Sequence, residues 1–141
     1  MSRIVITEIQ KRFADVDVFG HVNNIHQQQY LDLGKTDYYN RVIGFDVHLD
    51  RIALMIVAVN TDFIGQIRYD DQVYVKTWVK AVGTKSVTIA QQIVCRLTDG
   101  TEEVRTQGET VLVTFDRKEQ HTVEVPQSWR DRIDEFKNSG I

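Results

Sequence analysis

The chain has 141 residues, of which 42% are hydrophobic and 26% are charged, and its formal net charge is −3. This length fits one domain with a single core over residues 1–141, and the composition is ordinary for a globular protein. Seventeen basic against twenty acidic residues leave no basic field for nucleic acid. The longest apolar run, residues 52–59, is far shorter than the ~20 residues that span a bilayer. Neither nucleic-acid binding nor membrane insertion is therefore expected.

The cysteine content and the N-terminal sequence favour the cytoplasm. Cys95 is the one cysteine of the chain, which excludes an intramolecular disulfide and a cysteine metal cluster. Its neighbours Val94 and Leu97 favour a buried thiol, as is usual for a free cysteine. Residues 1–8 contain no apolar stretch of the kind found in signal peptides. We therefore expect a reducing, cytoplasmic environment.

The first third of the chain predicts a strand, a loop and a long helix. β-branched residues favour a strand within residues 3–13. The stretch 14–24 is rich in Asp, Gly and Asn and predicts a loop, in which Asn23 or Asn24 can cap the following helix. Residues 25–42 lack proline and show helical spacing, which predicts one helix of about five turns.

Two glycines bear on this helix. Gly44 follows the predicted segment and can end it. Gly34 lies in its middle, where glycine costs about 1 kcal/mol relative to alanine. A close approach of the helix to a curved sheet would explain why this cost is tolerated.

The rest of the chain predicts mostly sheet. Four strands are predicted, at residues 52–59, 73–81, 86–97 and 103–115. The first is apolar at both its odd and its even positions, as expected of a strand covered on both faces. A turn at Gly83-Thr84 and an Asp99-Gly100 hairpin signal connect the later strands. Pro126 opens a short helix in which apolar residues share one face. Long strands joined by tight turns, with one strongly packed helix, predict an antiparallel α+β domain.

The most specific motif lies in the loop before the long helix. Its fixed residues are Asp15, Asp17, Gly20, His21, Val22, Asn23 and Asn24. This D-x-D-x-x-G-H-V-N-N pattern resembles the signature of the 4-hydroxybenzoyl-CoA thioesterase branch of the hotdog superfamily. The resemblance extends to the strand order and covers nearly the whole chain. It implies the hotdog fold, with an antiparallel five-stranded sheet wrapped around a long central helix and a short C-terminal helix.

The resemblance also implies acyl thioester hydrolysis, with Asp17 as the catalytic carboxylate, because the second Asp of D-x-D is catalytic in similar enzymes. This reaction needs a nucleophile or a base for water, and donors for the charge on the carbonyl oxygen. A carboxylate just before a helix N-terminus stays ionised. The amides around Val22, Asn23 and Asn24 can form an oxyanion site, and Gly20 lets the backbone approach a ligand. Whether Asp17 acts as nucleophile or general base stays open.

The same residues also have structural interpretations. Asp15 and Asp17 could both be loop or capping residues, since Asp is common in both places. His21 could orient Asp17 or the substrate, or make a structural hydrogen bond. Asn23 and Asn24 favour caps over reactants. His21 and His26 are five residues apart and do not share a helix face, so no metal site and no cofactor are expected.

Further residues are candidates for substrate contact. Gln27 stands where the family often has Tyr, near the helix start where the acyl group is expected. Lys85 and Ser86 at a strand turn, and Arg117 with Lys118 after the last strand, could meet coenzyme A phosphates. Isolated lysines are usually solvated charges, which is the alternative for Lys85 and Lys118.

The expected partner is an acyl-CoA or an acyl carrier protein thioester. A hotdog-fold hydratase is a less favoured alternative, because the related D-x-N-P-x-H pattern has a proline and a different spacing from Asp17 to His21. A non-catalytic module that binds acyl thioesters is a second alternative. A hotdog subunit leaves a sheet edge open, and similar proteins assemble with sites at the subunit boundary. We therefore expect a homodimer or homotetramer.

Overall fold

The computed structural model describes residues 2–44 and 50–139. The elements in chain order are β1 Val5–Glu8, α1 Asn24–Tyr38, β2 Ile52–Phe63, β3 Gln72–Val82, β4 Ser86–Arg96, β5 Glu102–Asp116, β6 His121–Thr122 and α2 Gln127–Asn138. A π-helical turn, Tyr39–Ile43, prolongs α1. It ends at Gly44, whose φ of +72° is the left-handed conformation that stops a helix, as predicted. Within the described ranges, no helix is long and apolar enough to cross a membrane.

The strands form one antiparallel sheet. Its five main strands lie in the order β1-β3-β4-β5-β2, and the two-residue β6 pairs with the end of β5. Bulges interrupt three of the strand pairs, near Val57, Lys80 and Ile93. Because bulges bend a strand and increase its twist, they allow the sheet to curl around α1. The predicted five-stranded antiparallel sheet with one long helix and a short C-terminal helix is confirmed.

The helix α1 comes very close to the sheet at Gly34. A Cβ atom at this position would lie 2.7 Å from Cγ1 of Val75 and 2.8 Å from Oγ1 of Thr77. Beside this contact, Nε2 of Gln91 donates hydrogen bonds to the Leu31 carbonyl oxygen, at 2.8 Å, and to Thr77 Oγ1, at 3.0 Å. The predicted reason for a glycine in mid-helix is therefore confirmed.

Two hydrophobic clusters hold the layers together. One lies under the start of α1 and is centred on Tyr30, Leu31 and neighbouring strand residues. The other lies under the end of α1 and includes Trp129 and Ile133 of α2, with Phe136 packed against it. The predicted apolar face of the C-terminal helix thus docks onto the core.

The first predicted strand is shorter in the structure. Only Val5–Glu8 belongs to the sheet, where it pairs with β3. The Ile9 amide still donates to the Val73 carbonyl, at 3.2 Å, but the chain then leaves the sheet for a single 3₁₀ turn, Phe13–Asp15. β-branched residues indicated a strand here but not where its pairing ends, which tertiary context decides.

The strand β2 lies at the open edge of the sheet. Its apolar residues are largely exposed, with side chains between 44% and 57% accessible at Met55, Ile56, Val57 and Val59. The prediction that residues 52–59 are covered on both faces is therefore wrong for a single chain. An apolar pattern indicates that the faces of a strand are buried, but it does not show whether the same chain or another one buries them.

Candidate active site

The loop before α1 folds as a short ladder. Val16 pairs with Val22 in an antiparallel bridge. The Asn23 amide donates to the Asp15 carbonyl oxygen, at 2.9 Å, and extends the ladder towards α1. The fixed spacing of the motif thus has a local cause, since residues 15–17 and 21–23 must face each other.

Asp17 begins the tight turn that closes this ladder. Its Oδ1 accepts hydrogen bonds from the amides of Phe19, at 2.9 Å, and His21, at 3.4 Å. The Gly20 amide donates to the Asp17 carbonyl oxygen, at 3.0 Å, with Gly20 at a φ of +83°, which strains other residues. Among the described residues, Asp17 Oδ2 has no hydrogen-bond partner, and the side chain is partly exposed. One carboxylate oxygen is held and the other is open.

Asp15 makes a very different set of contacts. It is fully buried and accepts hydrogen bonds from the Tyr30 hydroxyl, at 2.5 Å, and from Arg12 Nε, at 3.0 Å. His26 Nδ1 lies 3.4 Å from the same carboxylate. Burial raises the pKa of Asp15, but the hydrogen bonds from Tyr30 and Arg12 outweigh burial and hold it below its usual value. This carboxylate anchors the loop to α1.

Sequence reasoning did not identify this anchor. Its signal was the position of Tyr30, which shares the inward face of α1 with Gln27, Leu31 and Gly34. A tyrosine on a buried helix face needs a partner for its hydroxyl. The nearest unassigned acceptor in the motif was Asp15.

Asn23 is the N-cap of α1. Its Oδ1 accepts a hydrogen bond from the Ile25 amide, at 3.0 Å. The capping interpretation of this residue is therefore confirmed.

The amides at the helix start are not equally available. The Val22 amide donates to the Ile67 carbonyl, at 2.7 Å, and the Asn23 amide donates to Asp15. The Asn24 amide, in the first turn of α1, has no partner among the described residues. Of the three predicted oxyanion donors, Asn24 is the one whose N–H remains free.

Among the described residues, the His21 ring makes no hydrogen bond to Asp17. The bond between these residues runs through the His21 backbone, and the imidazole, which is partly exposed, has no hydrogen-bond partner in the described part of the chain. The His21 backbone forms a further bridge to Arg68. Asp17 and His21 are thus connected by hydrogen bonds of the His21 backbone and not by its imidazole.

Gln27 lies inside the protein. It is 3% exposed, its Nε2 donates to the Val22 carbonyl at 3.4 Å, and its Oε1 accepts a hydrogen bond from the Thr106 hydroxyl. The side chain therefore links α1 to β5 and the loop, and both of its polar ends are occupied within the chain. Gln27 therefore has no accessible polar atom with which to make the predicted contact with substrate.

Apolar side chains surround the loop on its solvent side. Four of them are largely exposed: Phe13, Val18, Phe19 and Ile25. We call these four residues the apolar rim. Exposed apolar surface beside a free carboxylate is typical of a site that an apolar ligand or another subunit covers.

Lys85 and Ser86 lie at the other end of the sheet from Asp17. The loop leaves the sheet beside Val73, whereas Lys85 follows Val82, and about 30 Å of extended strand separates the two positions. Within one chain, these residues are therefore not brought to Asp17.

Arg117 and Lys118 share the end of the sheet where Lys85 lies. The Lys85 carbonyl accepts a hydrogen bond from the Thr114 amide, at 3.1 Å, which joins the turn to the end of β5. Arg117 and Lys118 follow β5 directly, and the Arg117 amide donates to Arg51, at 2.9 Å. We call the end of the subunit that carries Lys85, Arg117 and Lys118 the basic end. Arg51 lies there too, but it is paired with Asp116 and Glu119.

No group of three or more His, Cys, Asp or Glu side chains converges as a metal site in residues 2–44 and 50–139.

Solved structures of thioesterases are similar to this chain. The 4-hydroxybenzoyl CoA thioesterase from Pseudomonas sp. strain CBS-3 is 21% identical, with 93% of this chain and 99% of that chain covered and a TM-score of 0.80. A mutant of 4-hydroxybenzoyl CoA thioesterase complexed with 4-hydroxybenzoyl CoA is 19% identical, with 94% and 99% covered and a TM-score of 0.84. At these identities the likeness establishes the hotdog fold.

A thioesterase from Thermus thermophilus, complexed with coenzyme A and Zn, is also similar, at 22% identity, with 94% of this chain and 98% of that chain covered and a TM-score of 0.80. No curated protein has significant sequence similarity to the chain. The model of one protein family, described as the thioesterase-like superfamily, matches residues 12–133. That range includes the ladder, Asp17, α1 and all the long strands, and the chain therefore belongs to the thioesterase-like superfamily.

Proposed function

We propose that this protein is an acyl-CoA thioesterase in which Asp17 is the catalytic carboxylate. The observation that carries the proposal is the geometry of Asp17, whose Oδ1 is held by two backbone amides while Oδ2 has no partner among the described residues. A catalytic carboxylate needs this combination of fixed position and free oxygen. Membership of the thioesterase-like superfamily supports it, as do the structural neighbours complexed with 4-hydroxybenzoyl CoA and with coenzyme A.

The chemistry follows from the ladder and the helix. Asp17 Oδ2 either attacks the thioester carbonyl carbon or takes a proton from the water that does so. Negative charge then develops on the carbonyl oxygen. We assign its stabilisation to the Asn24 amide and the positive end of the α1 dipole. The carbon–sulfur bond breaks and the thiolate takes up a proton. If Asp17 is the nucleophile, this leaves an acyl–Asp17 anhydride, which water then hydrolyses to the carboxylic acid and the free Asp17 carboxylate. If Asp17 is the base, the attacking water itself becomes the new oxygen of the acid, and the proton that Asp17 took from it passes to the thiolate.

The other motif residues have positioning roles in this proposal. Val22 and Asn23 use their amides to fix the loop against Ile67 and Asp15. Gly20 allows the turn that presents Asp17, and the apolar rim provides the surface for the acyl group. Gln27 holds α1 against β5 and is not assigned to the substrate.

We further propose that two chains pair through β2 to complete the site. The Phe63 end of β2 pairs with Thr106, whose hydroxyl bonds Gln27 near the loop, and the Ile52 end pairs with Asp116 near the basic end. Antiparallel pairing of two β2 edges about a two-fold axis reverses these ends. It thereby brings the basic end of one subunit towards the catalytic loop of the other.

This arrangement gives the basic residues a role. Lys85, Ser86, Arg117 and Lys118 lie at the end of the sheet away from their own Asp17, and pairing through β2 would bring them towards the Asp17 of the other subunit. There they can bind coenzyme A phosphates, whose charge they complement. A buried free thiol at Cys95 fits the cytoplasmic location that we propose for this enzyme.

The first test is thiol release from a panel of short, aromatic and long acyl-CoAs and an acyl carrier protein thioester. We expect Asp17→Asn to reduce turnover by about a thousandfold or more, because the amide keeps the shape but cannot act as nucleophile or base. The matched control is Asp99→Asn, since Asp99 Oδ1 accepts from the Thr101 amide at 2.9 Å in a similar turn that is not part of the loop.

The outcomes distinguish the possible functions. Turnover lost in Asp17→Asn and kept in Asp99→Asn supports the proposal. Full activity in Asp17→Asn contradicts it. Binding of the whole panel by wild type without any thiol release would identify a module that sequesters acyl thioesters.

A further inference from the structure

A second groove lies far from the catalytic loop, between β3, α2 and the N-terminal segment. Its volume is about 470 Å³. The floor is apolar and consists of Tyr38, Val79, Ile133 and Phe136. Tyr38 ends α1, about 21 Å along the helix from Asn24. This groove is therefore separate from the site assigned to hydrolysis.

Four cationic side chains line the groove: Arg3, Lys76, Lys80 and Lys137. Lys76 and Lys80 are paired with Glu102 and Glu109 on the outer face of the sheet. Neither Arg3 nor Lys137 has an ion pair among the described residues, and the Arg3 guanidinium lies 4.5 Å from the centre of the Phe136 ring. Two positive charges without an ion pair thus lie next to each other at one end of the apolar floor.

The floor also offers a hydroxyl donor, from Tyr38. Tyr38 is 2% exposed, and its hydroxyl has no hydrogen-bond partner within the described ranges. Burial, and to a smaller extent the nearby Asp134, raises the pKa of Tyr38, so the hydroxyl keeps its proton and can donate at neutral pH. The hydroxyl oxygen is not one of the buried polar atoms that lack a partner, so it can be reached from the groove that Tyr38 lines, and a ligand can accept its hydrogen bond there.

We propose that this groove is a second binding site, for an organic carboxylate with an apolar body of medium-chain or aromatic type. The apolar body lies on Val79, Ile133 and Phe136, and the carboxylate lies between Arg3 and Lys137. Tyr38 donates to the ligand from below. Asp134 lines the adjoining groove together with Arg130 and Lys137. Its negative charge would repel a carboxylate from that side of Lys137.

The choice of a carboxylate follows from the charges. Two unpaired cations at one end of an apolar floor match a single anionic group on an apolar body. A carboxylic acid of this type is also the class of product that thioester hydrolysis releases. Only this link to the reaction product rests on the proposed function, because the groove itself does not involve Asp17.

Calorimetric titration with octanoate tests the proposal, with 1-octanol as the uncharged probe and AMP as the phosphate probe. We expect octanoate to bind, 1-octanol to bind at least about tenfold more weakly, and AMP not to compete. Lys137→Gln should weaken octanoate binding about fivefold or more, and Tyr38→Phe about threefold, because each removes one polar contact.

Two control variants separate this groove from the catalytic site. Arg41→Gln removes the same charge at a residue that pairs with Asp37 and does not line this groove, and it should leave octanoate binding unchanged. Asp17→Asn should also bind octanoate like wild type, whether or not it hydrolyses thioesters. Octanoate affinity that is lost in Asp17→Asn but kept in Lys137→Gln would overturn the proposal, as would displacement of octanoate by AMP.

Discussion

Asp15 and Asp17 are two residues apart, and their surroundings assign them opposite tasks. Asp15 is enclosed by Tyr30 and Arg12 and has no exposed surface, so its charge serves the structure. Asp17 is held on one oxygen only and lies at the surface of the loop. The motif identifies both as acidic, but hydrogen bonding and burial decide which one is available for chemistry.

A third carboxylate, Asp116, should govern acid stability. Its carboxylate accepts bonds from Arg51, at 2.8 and 2.9 Å, and from the amides of Lys118 and Glu119. The bond from Arg51 is the main reason why the pKa of Asp116 falls from 3.8 to about 2. A carboxyl whose pKa is lower in the folded than in the unfolded chain stabilises the fold at pH values above its unfolded pKa. For Asp116 this contribution is lost as the pH falls from about 4 to about 2.

We therefore expect Asp116→Asn to be less stable than wild type at pH 7 and to show a flatter loss of stability between pH 4 and pH 2. Urea midpoints measured at intervals from pH 2 to pH 7 check this. Asp131→Asn, which changes an exposed carboxylate on α2, is the control. Parallel pH curves for wild type and Asp116→Asn would contradict the assignment.

At the scale of elements, the contact between α1 and the sheet depends on Gly34. Helix propensity alone favours alanine there by about 1 kcal/mol. The packing opposes it, because a Cβ would lie within 3 Å of Val75, Thr77 and Gln91 side-chain atoms. Overpacking of a closed interface costs about 1–3 kcal/mol.

We expect Gly34→Ala to lower the free energy of unfolding by about 1 kcal/mol or more, because the steric cost exceeds the gain in propensity. Thr36→Ala, at an exposed position of the same helix, isolates the propensity effect and should be neutral or slightly stabilising. Chemical denaturation of both variants measures the difference. A stabilised Gly34→Ala variant would show that the helix can move away from the sheet at little cost.

The elements were predictable to different degrees. The extent of α1 and the strands β3 to β5 follow from periodicity and turn signals, which are local properties. The first strand ends early because pairing with β3 stops after Glu8, and no local pattern marks that point. The same limit applied to β2, whose apolar pattern did not reveal that it lies at an edge.

For the whole molecule, the exposed apolar edge of β2 is the main feature that a single chain leaves unexplained. An open edge with half-exposed Ile56, Val57 and Val59 favours pairing with another strand. Pairing of two such edges would cover this surface and extend the sheet. It would also bring the basic end and the catalytic loop of different subunits together.

We expect Val59→Lys to shift the protein from dimer to monomer and to reduce thioester hydrolysis by about tenfold or more, because like charges would face each other across the pairing edge. Val59→Thr keeps strand propensity without charge and should remain dimeric. Light scattering after size exclusion distinguishes these states, since one chain has a mass of 16.3 kDa. A wild-type mass of 16.3 kDa would exclude the two-subunit site.

The sequence by itself determined the fold class, the superfamily resemblance and the loop that carries the proposed site. These depend on local patterns: strand alternation, helical spacing, turn residues and a motif of fixed spacing. Only the tertiary structure decided that Asp15 is buried and that, of the three predicted donors, the Asn24 amide is the one without a partner among the described residues. It also decided that Gln27 is enclosed and that Lys85 lies far from its own Asp17. These properties depend on contacts between residues distant in the chain, for which a single sequence has no local signal.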